Sequence, residues 1–209
     1  MRKFLLAALA LGVSATAQAH EIWIERDGSG PARIYLGEPE FPLPEGGDPA
    51  FPQLKAPKLV SASTAQQARG PGYIQVSVPP GDVRAWDDDI FAPWDEEGKK
   101  AGGTYYARAG RTETRALMPA EIVPVEANGT RFVLMKDGKP APGVAIRVIS
   151  PEKWSKSLET DGNGTVTVPI RESGRYLLSA SLKDEGDYDL PGGKVAILHR
   201  ITTTTFLVP

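Results

Sequence analysis

VAILHRITTTTFLV, residues 195–208, is a run of apolar and β-branched residues interrupted only by His199-Arg200, with no glycine or proline inside it. Val, Ile and Thr favour the pleated, extended backbone, so the stretch reads as one strong strand near the C-terminus. Elsewhere 22 glycines and 19 prolines are spread along the 209 residues and leave little room for long helices. The segments between these breakers, 32–36, 73–78, 104–108, 130–135, 144–149, 165–170 and 175–181, are short and β-branched. Several alternate apolar with polar residues, as in Ile74-Gln75-Val76-Ser77-Val78, the pattern of a half-buried strand. Turn chemistry separates them at Asp137-Gly138, Asp161-Gly162-Asn163-Gly164, Ser173-Gly174 and Pro191-Gly192-Gly193.

The sum is an all-β chain of two small β-sandwich units, immunoglobulin-like or transthyretin-like, following a cleaved signal peptide. The division falls near residues 124–128, which gives a signal peptide at 1–19, an N-terminal β domain at 20–125 and a more regular C-terminal sandwich at 126–209. Between 38 and 57, Pro39, Pro42, Pro44, Pro49, Pro52 and Pro57 predict an extended loop over the surface. Residues 61–69 read as a short helix with a thin apolar face.

Met1-Arg2-Lys3 is a short positive start, residues 4–13 are apolar, and a run of small and polar residues ends at Ala17-Gln18-Ala19. This is the pattern of a secretory signal, and its apolar stretch is well short of the ~20 residues that span a bilayer. Cleavage after Ala19 makes His20 the first residue of the mature protein, whereas cleavage after Ala15-Thr16-Ala17 makes it Gln18. The expected location is periplasmic, with no membrane-embedded segment after cleavage. The chain has no cysteine, which excludes disulfides and thiolate metal sites, and its net charge of −2 contains no basic block of the kind nucleic acid attracts.

The chemistry rests on the two histidines, His20 and His199. A free α-amine and an imidazole on one residue form a chelate, and a second imidazole brought in by folding completes a three-nitrogen site. Amine and imidazole, with unperturbed pKa values near 8 and 6.5, both yield readily to a metal at neutral pH. Nitrogen donors in a T-shaped arrangement, a histidine brace, suit copper best and nickel next, with cobalt and zinc weaker. In HEIWIE, strand alternation places His20, Ile22 and Ile24 on one face and Glu21, Trp23 and Glu25 on the other. His199 shares its face with Ile197 and Ile201, a setting that also suits an ordinary core histidine with one satisfied hydrogen bond. A further ligand or orienting group is sought among carboxylates and tyrosines, with Asp87-Asp88-Asp89, Asp187-Tyr188-Asp189 and Glu21 as candidates.

Enzyme motifs are scarce. There is no cysteine nucleophile, no Gly-x-Ser-x-Gly elbow and no phosphate-cradling or dinucleotide loop. The one enzymatic reading left is a copper oxygenase, which needs a flat exposed face such as Trp23, Trp86, Trp94, Tyr105 and Tyr106 would supply.

The opening HEIWIE, the segment YYARAGRTETRALMPAEIVPVEANGTRFVLMKDGKPAPGVAIRV at 105–148, the segment ETDGNGTVTVPIRESGRYLLSAS at 159–181 and the closing HRITTTTFLV resemble a bacterial family built on a domain of unknown function. Its members are often labelled the periplasmic component of a cobalt or nickel transport system. The C-terminal part is also similar to the sandwich of transthyretin-like and carboxypeptidase-regulatory-like domains. The resemblance implies export, a β-sandwich and transition-metal handling. Three functions follow as expectations: a periplasmic protein that binds nickel, cobalt or copper through His20 and His199 and serves a membrane metal transporter; a histidine-brace copper oxygenase; or a non-catalytic module that binds protein or glycan without metal.

Overall fold

The breakers of the sequence become strand ends. A computed structural model describes residues 20–60 and 65–209, so the expected signal peptide at 1–19 lies outside the described residues. Four antiparallel strands, β1 (Glu21–Arg26), β2 (Ala32–Gly37), β4 (Gln67–Gly70) and β5 (Tyr73–Val76), form a first sheet in the order β1-β2-β5-β4. A long sheet runs β13 (Ser155–Glu159), β12 (Ala145–Ile149), β15 (Gly174–Leu190), β16 (Gly193–Val208), β8 (Lys99–Ala109), β6 (Val83–Asp87) and β3 (Lys58–Leu59), with β7 (Trp94–Glu96) paired to β8. A third sheet holds β9 (Ala120–Pro124), β10 (Arg131–Lys136), β11 (Lys139–Pro140) and β14 (Thr165–Thr167).

The long sheet is the middle of three layers. One core, including Ile22, Ile24, Ile34, Leu36, Ile74, Tyr105 and Ile201, fills the space between it and the first sheet. A second, including Ile122, Phe132, Leu134, Val148, Tyr176 and Phe206, fills the space between it and the third. The architecture is thus all-β with two sandwich cores, each built mainly by one half of the sequence. The halves also share a sheet: β8, from the upstream half, pairs in parallel with β16 from the far end of the chain. The division near 124–128 falls in the turn from β9 to β10, and these two strands pair with each other across it.

This layering buries all four threonines of the opening sequence and gives three of their hydroxyls partners on the neighbouring layers. A strand covered on both faces has no solvent side, and Thr202, Thr203, Thr204 and Thr205 are all fully buried. On one face the Thr203 and Thr205 hydroxyls donate to the carbonyls of Ile22 and Ile24, the former at 2.7 Å; on the other the Thr204 hydroxyl donates to Ile122 at 2.7 Å. Each of these bonds contributes ~0.5–1.5 kcal/mol net, and more is lost when a buried carbonyl is left alone. They also tie the outer strand β1 and the third-sheet strand β9 to the middle layer at fixed levels.

Two loop expectations are corrected. Gln67–Gly70 is strand β4, not the end of a helix, because Gly70-Pro71-Gly72 turns it back onto β5 in an antiparallel hairpin; residues 61–64 lie outside the described residues. The proline-rich stretch does more than cross the surface. Phe51, in a 3₁₀ turn at Phe51–Gln53, and Leu54 are buried in the first core. Gly47, at a φ of 96°, packs so closely on Gly72 that a Cβ there would lie 2.2 Å from the Gly72 Cα. Only glycine fits such an approach, and it pins the loop that carries Asp48.

At one end of the long sheet lies an ionic cluster in which Arg84, Arg108, Glu121 and Asp82 are buried and Glu113 reaches in from the surface. Arg84 donates to Glu121 at 2.6 Å and to Glu113 at 2.8 Å, while Arg108 donates to the same Glu121 oxygen at 2.9 Å and to Asp82. The second Glu121 oxygen accepts the backbone N–H groups of Leu117 and Met118. Asp82 also accepts from the Thr112 hydroxyl and from the backbone of Thr112 and Glu113. Burial pushes the Asp82 carboxyl up, but these donors and Arg108 outweigh it and hold it below its ordinary value.

Candidate metal centre

Thr203 meets Ile22 and Thr205 meets Ile24, so β1 follows β16 in the same direction with a constant offset. Continuing that offset by two residues sets His20 at the level of Ile201. His199, on the same face of β16 as Ile201, Thr203 and Thr205, lies one two-residue repeat further on, ~6.6 Å along the strand. The chain's two histidines therefore come to one end of the first core.

Each histidine is held by a carboxylate. His20 Nε2 lies 3.1 Å from Asp48 Oδ1, and the same oxygen accepts the Ala50 backbone N–H at 2.7 Å, which orients it. The His20 ring meets Phe91 edge-on at 5.7 Å between centroids, and Phe91 in turn meets Tyr105 edge-on at 5.9 Å. His199 Nε2 lies 2.8 Å from Glu96 Oε2, and its ring stacks on Trp94 at 5.7 Å. Glu96 also takes Lys183 Nζ at 3.0 Å and the Trp94 indole N–H at 3.2 Å. Partial burial pushes the Glu96 carboxyl up, but donation from Lys183, His199 and Trp94 outweighs it and brings the pKa down to about 2. An imidazole that donates Nε2–H to a carboxylate keeps its lone pair on Nδ1, and such a pair is the usual support for a metal-ligating histidine.

The local sequence builds this end. Lys183 on β15 and Gly103 on β8 flank His199 in register, so one side offers a cation to Glu96 and the other offers no side chain at all. Beside His199 is an open depression of about 240 Å³, lined by Trp94, Ser181 and Ile201 as well. Ile201 carries the depression to the level of His20.

No hydrogen bond or ring contact joins the two histidines directly, and among the described residues no group of three or more His, Asp or Glu is set to hold an ion by itself. The other expected ligands lie elsewhere. Asp87 is buried in register with Tyr105 and accepts the Asp89 backbone N–H at 2.8 Å, while Asp88 pairs with Lys58. Asp187 and Asp189 are exposed on the distal part of the β15–β16 hairpin, next to its bulge. Glu21 points to the opposite side of β1, where it accepts from Arg147 and Ser179. Asp48 and Glu96 were not singled out by the sequence. The Gly46-Gly47 pair before one, and the Trp94-to-Lys99 hairpin carrying the other, were the only signals available.

The aromatic residues named for an oxygenase do not make one exposed face. Trp23, Tyr105 and Tyr106 are buried, and Trp86 and Trp94 are half-buried on different strands.

The model of a domain of unknown function, DUF4198, matches residues 17–184 of the chain. No curated protein and no solved structure matches it.

Proposed function

The chain belongs to the DUF4198 family, whose function is unknown, and from there we propose that it is an exported protein that binds a transition metal through His20 and His199. Cleavage after Ala19 turns the His20 nitrogen into a free α-amine at the level of Ile201. That amine and Nδ1 of His20 close one chelate ring, and His199 supplies the third nitrogen. All three donors are nitrogens, the set that copper and nickel favour over magnesium or calcium. The protein serves to carry nickel, cobalt or copper to a membrane transporter and has no catalytic role of its own.

One observation supports this reading above the rest: the fold gathers the two lone histidines, far apart in sequence, at one end of one core and turns the Nε2 of each toward a carboxylate. Two unrelated core histidines would have no reason to come within one two-residue repeat of each other along the same strand face.

The test is calorimetric titration of protein beginning at His20 with Cu(II), Ni(II) and Co(II), repeated on His20→Ala and His199→Ala. One equivalent binds in the wild type, copper most tightly, and each substitution weakens binding by at least about a hundredfold. Equal binding by all three proteins overturns the reading.

A further inference from the structure

Beside the two histidines is a buried polar atom that the fold does not use. Tyr105 is fully buried in the first core, and its hydroxyl has no hydrogen-bond partner among the described residues. Buried hydroxyls almost always have one, because an unmade bond costs ~1–3 kcal/mol. The direction of the side chain is fixed by its neighbours. The ring bends back along β8 over Gly103, where a Cβ would lie 2.9 Å from the ring and 3.0 Å from the hydroxyl oxygen. Gly103 is the register partner of His199 on the adjacent strand, and in a parallel pair register partners present the same face. The hydroxyl thus reaches from the level of Ile201 to that of His199. On its other side Tyr105 meets Phe91, which meets the His20 ring.

From this placement we infer that the Tyr105 hydroxyl is the third side chain of the His20–His199 site, donating a hydrogen bond from the core side to a water or other small ligand carried by the bound ion. The inference rests on the metal-binding reading above. It gives the orphaned hydroxyl a partner that arrives only with the metal, and it gives Gly103 a purpose: any larger residue there would displace the ring. Burial, with the nearby Asp87 charge adding to it, pushes the phenol pKa up, so the oxygen keeps the proton it donates. Tyr105 is a positioning residue and not a catalytic one.

The experiment compares wild type, Tyr105→Phe, His20→Ala and His199→Ala, all beginning at His20, by Cu(II) titration, by the electron paramagnetic resonance of the copper-loaded proteins and by melting temperature without metal. Removing the hydroxyl weakens copper about tenfold, in the range seen when groups supporting a metal's ligands are removed, and alters the resonance parameters. The metal-free melting temperature stays at or slightly above the wild-type value, because no bond within the fold is lost. If the His variants lose copper but Tyr105→Phe matches wild type in affinity and resonance, the Tyr105 assignment falls and the metal reading stands. A clear drop in the metal-free melting temperature of Tyr105→Phe also overturns the assignment, since the hydroxyl would then have a partner within the fold. If wild type takes up no copper, or the His variants bind as it does, both fall.

Discussion

The ionic cluster around Glu121 and the histidine end of the first core both put charged and polar groups inside a β-sandwich, yet they are finished to different degrees. In the cluster, both Glu121 oxygens are engaged, by Arg84 and Arg108 on one side and by two backbone N–H groups on the other. At the histidine end, each imidazole has a carboxylate at Nε2, while the Tyr105 hydroxyl has no partner among the described residues. A closed network only has to hold the fold together. The unused donor of the other, as proposed for Tyr105, takes a partner that arrives with a bound ion.

The largest expected effect lies on the closed side. Glu121→Leu leaves two buried guanidinium groups without their shared carboxylate and should cost ~3–5 kcal/mol, read as a loss of denaturation midpoint in urea. Copper binding by the remaining folded fraction should be unchanged. If Glu121→Leu instead weakens copper while sparing the fold, the two regions are not independent and the contrast fails.

A smaller and graded effect comes from pH. Asp82 and Glu96 both have folded pKa values below their unfolded ones, Glu96 at about 2 against an ordinary 4.5. The stability each contributes is fully present above its unfolded pKa and is lost as pH falls through the folded value. Buried Glu21 and Asp87, whose carboxyls are pushed up, act in the opposite sense, so in unfolding followed by circular dichroism it is the share owed to Asp82 and Glu96 that should hold from neutral pH down to ~5 and decline below ~4.5. Asp82→Asn should lower stability at neutral pH and flatten that decline, because the difference in proton uptake goes with the carboxyl. A decline that is unaltered in Asp82→Asn would remove Asp82 from the account.

The smallest effect on the fold belongs to the open side. Glu96 is only partly buried, so solvent screening trims what its lowered pKa contributes, and Glu96→Gln should cost at most ~1 kcal/mol at neutral pH. Copper affinity should nevertheless fall ~10–100-fold, because the amide supports the His199 imidazole less well than the carboxylate. A variant that loses much stability and no affinity would make Glu96 part of the scaffold and His199 an ordinary core residue.

The contrast also marks what the sequence could disclose. The strands were legible because breakers and β-branched runs act locally: residues 195–208 and 175–181 lie within β16 and β15. What stayed hidden was long-range. Four threonines in a row carry no sign that they lie in a middle layer, since that depends on β1 and β9 covering opposite faces of the same strand. The separation into two halves was visible in composition, but the parallel pairing of β8 with β16 joins segments with no local signal for each other. The same applies to the candidate centre. His20 and His199 were conspicuous by rarity, whereas Asp48 and Glu96 are two acidic residues among many and acquire partners only through the loop packing of Gly47 and the hairpin at β7. Tyr105 read as one more core aromatic, because an unpartnered hydroxyl is a property of its surroundings.

The central claim is that the α-amine of His20 is a metal donor, and one comparison tests it most directly. Two forms of the protein, one beginning at His20 and one beginning at Gln18, are loaded with Cu(II) and compared by affinity and by the nitrogen hyperfine pattern of their paramagnetic resonance. The account predicts tight, stoichiometric copper and three-nitrogen coordination in the first form, and an affinity lower by at least about a hundredfold in the second, where the amine is tied up in a peptide bond. Identical affinity and identical hyperfine structure in the two forms would contradict it.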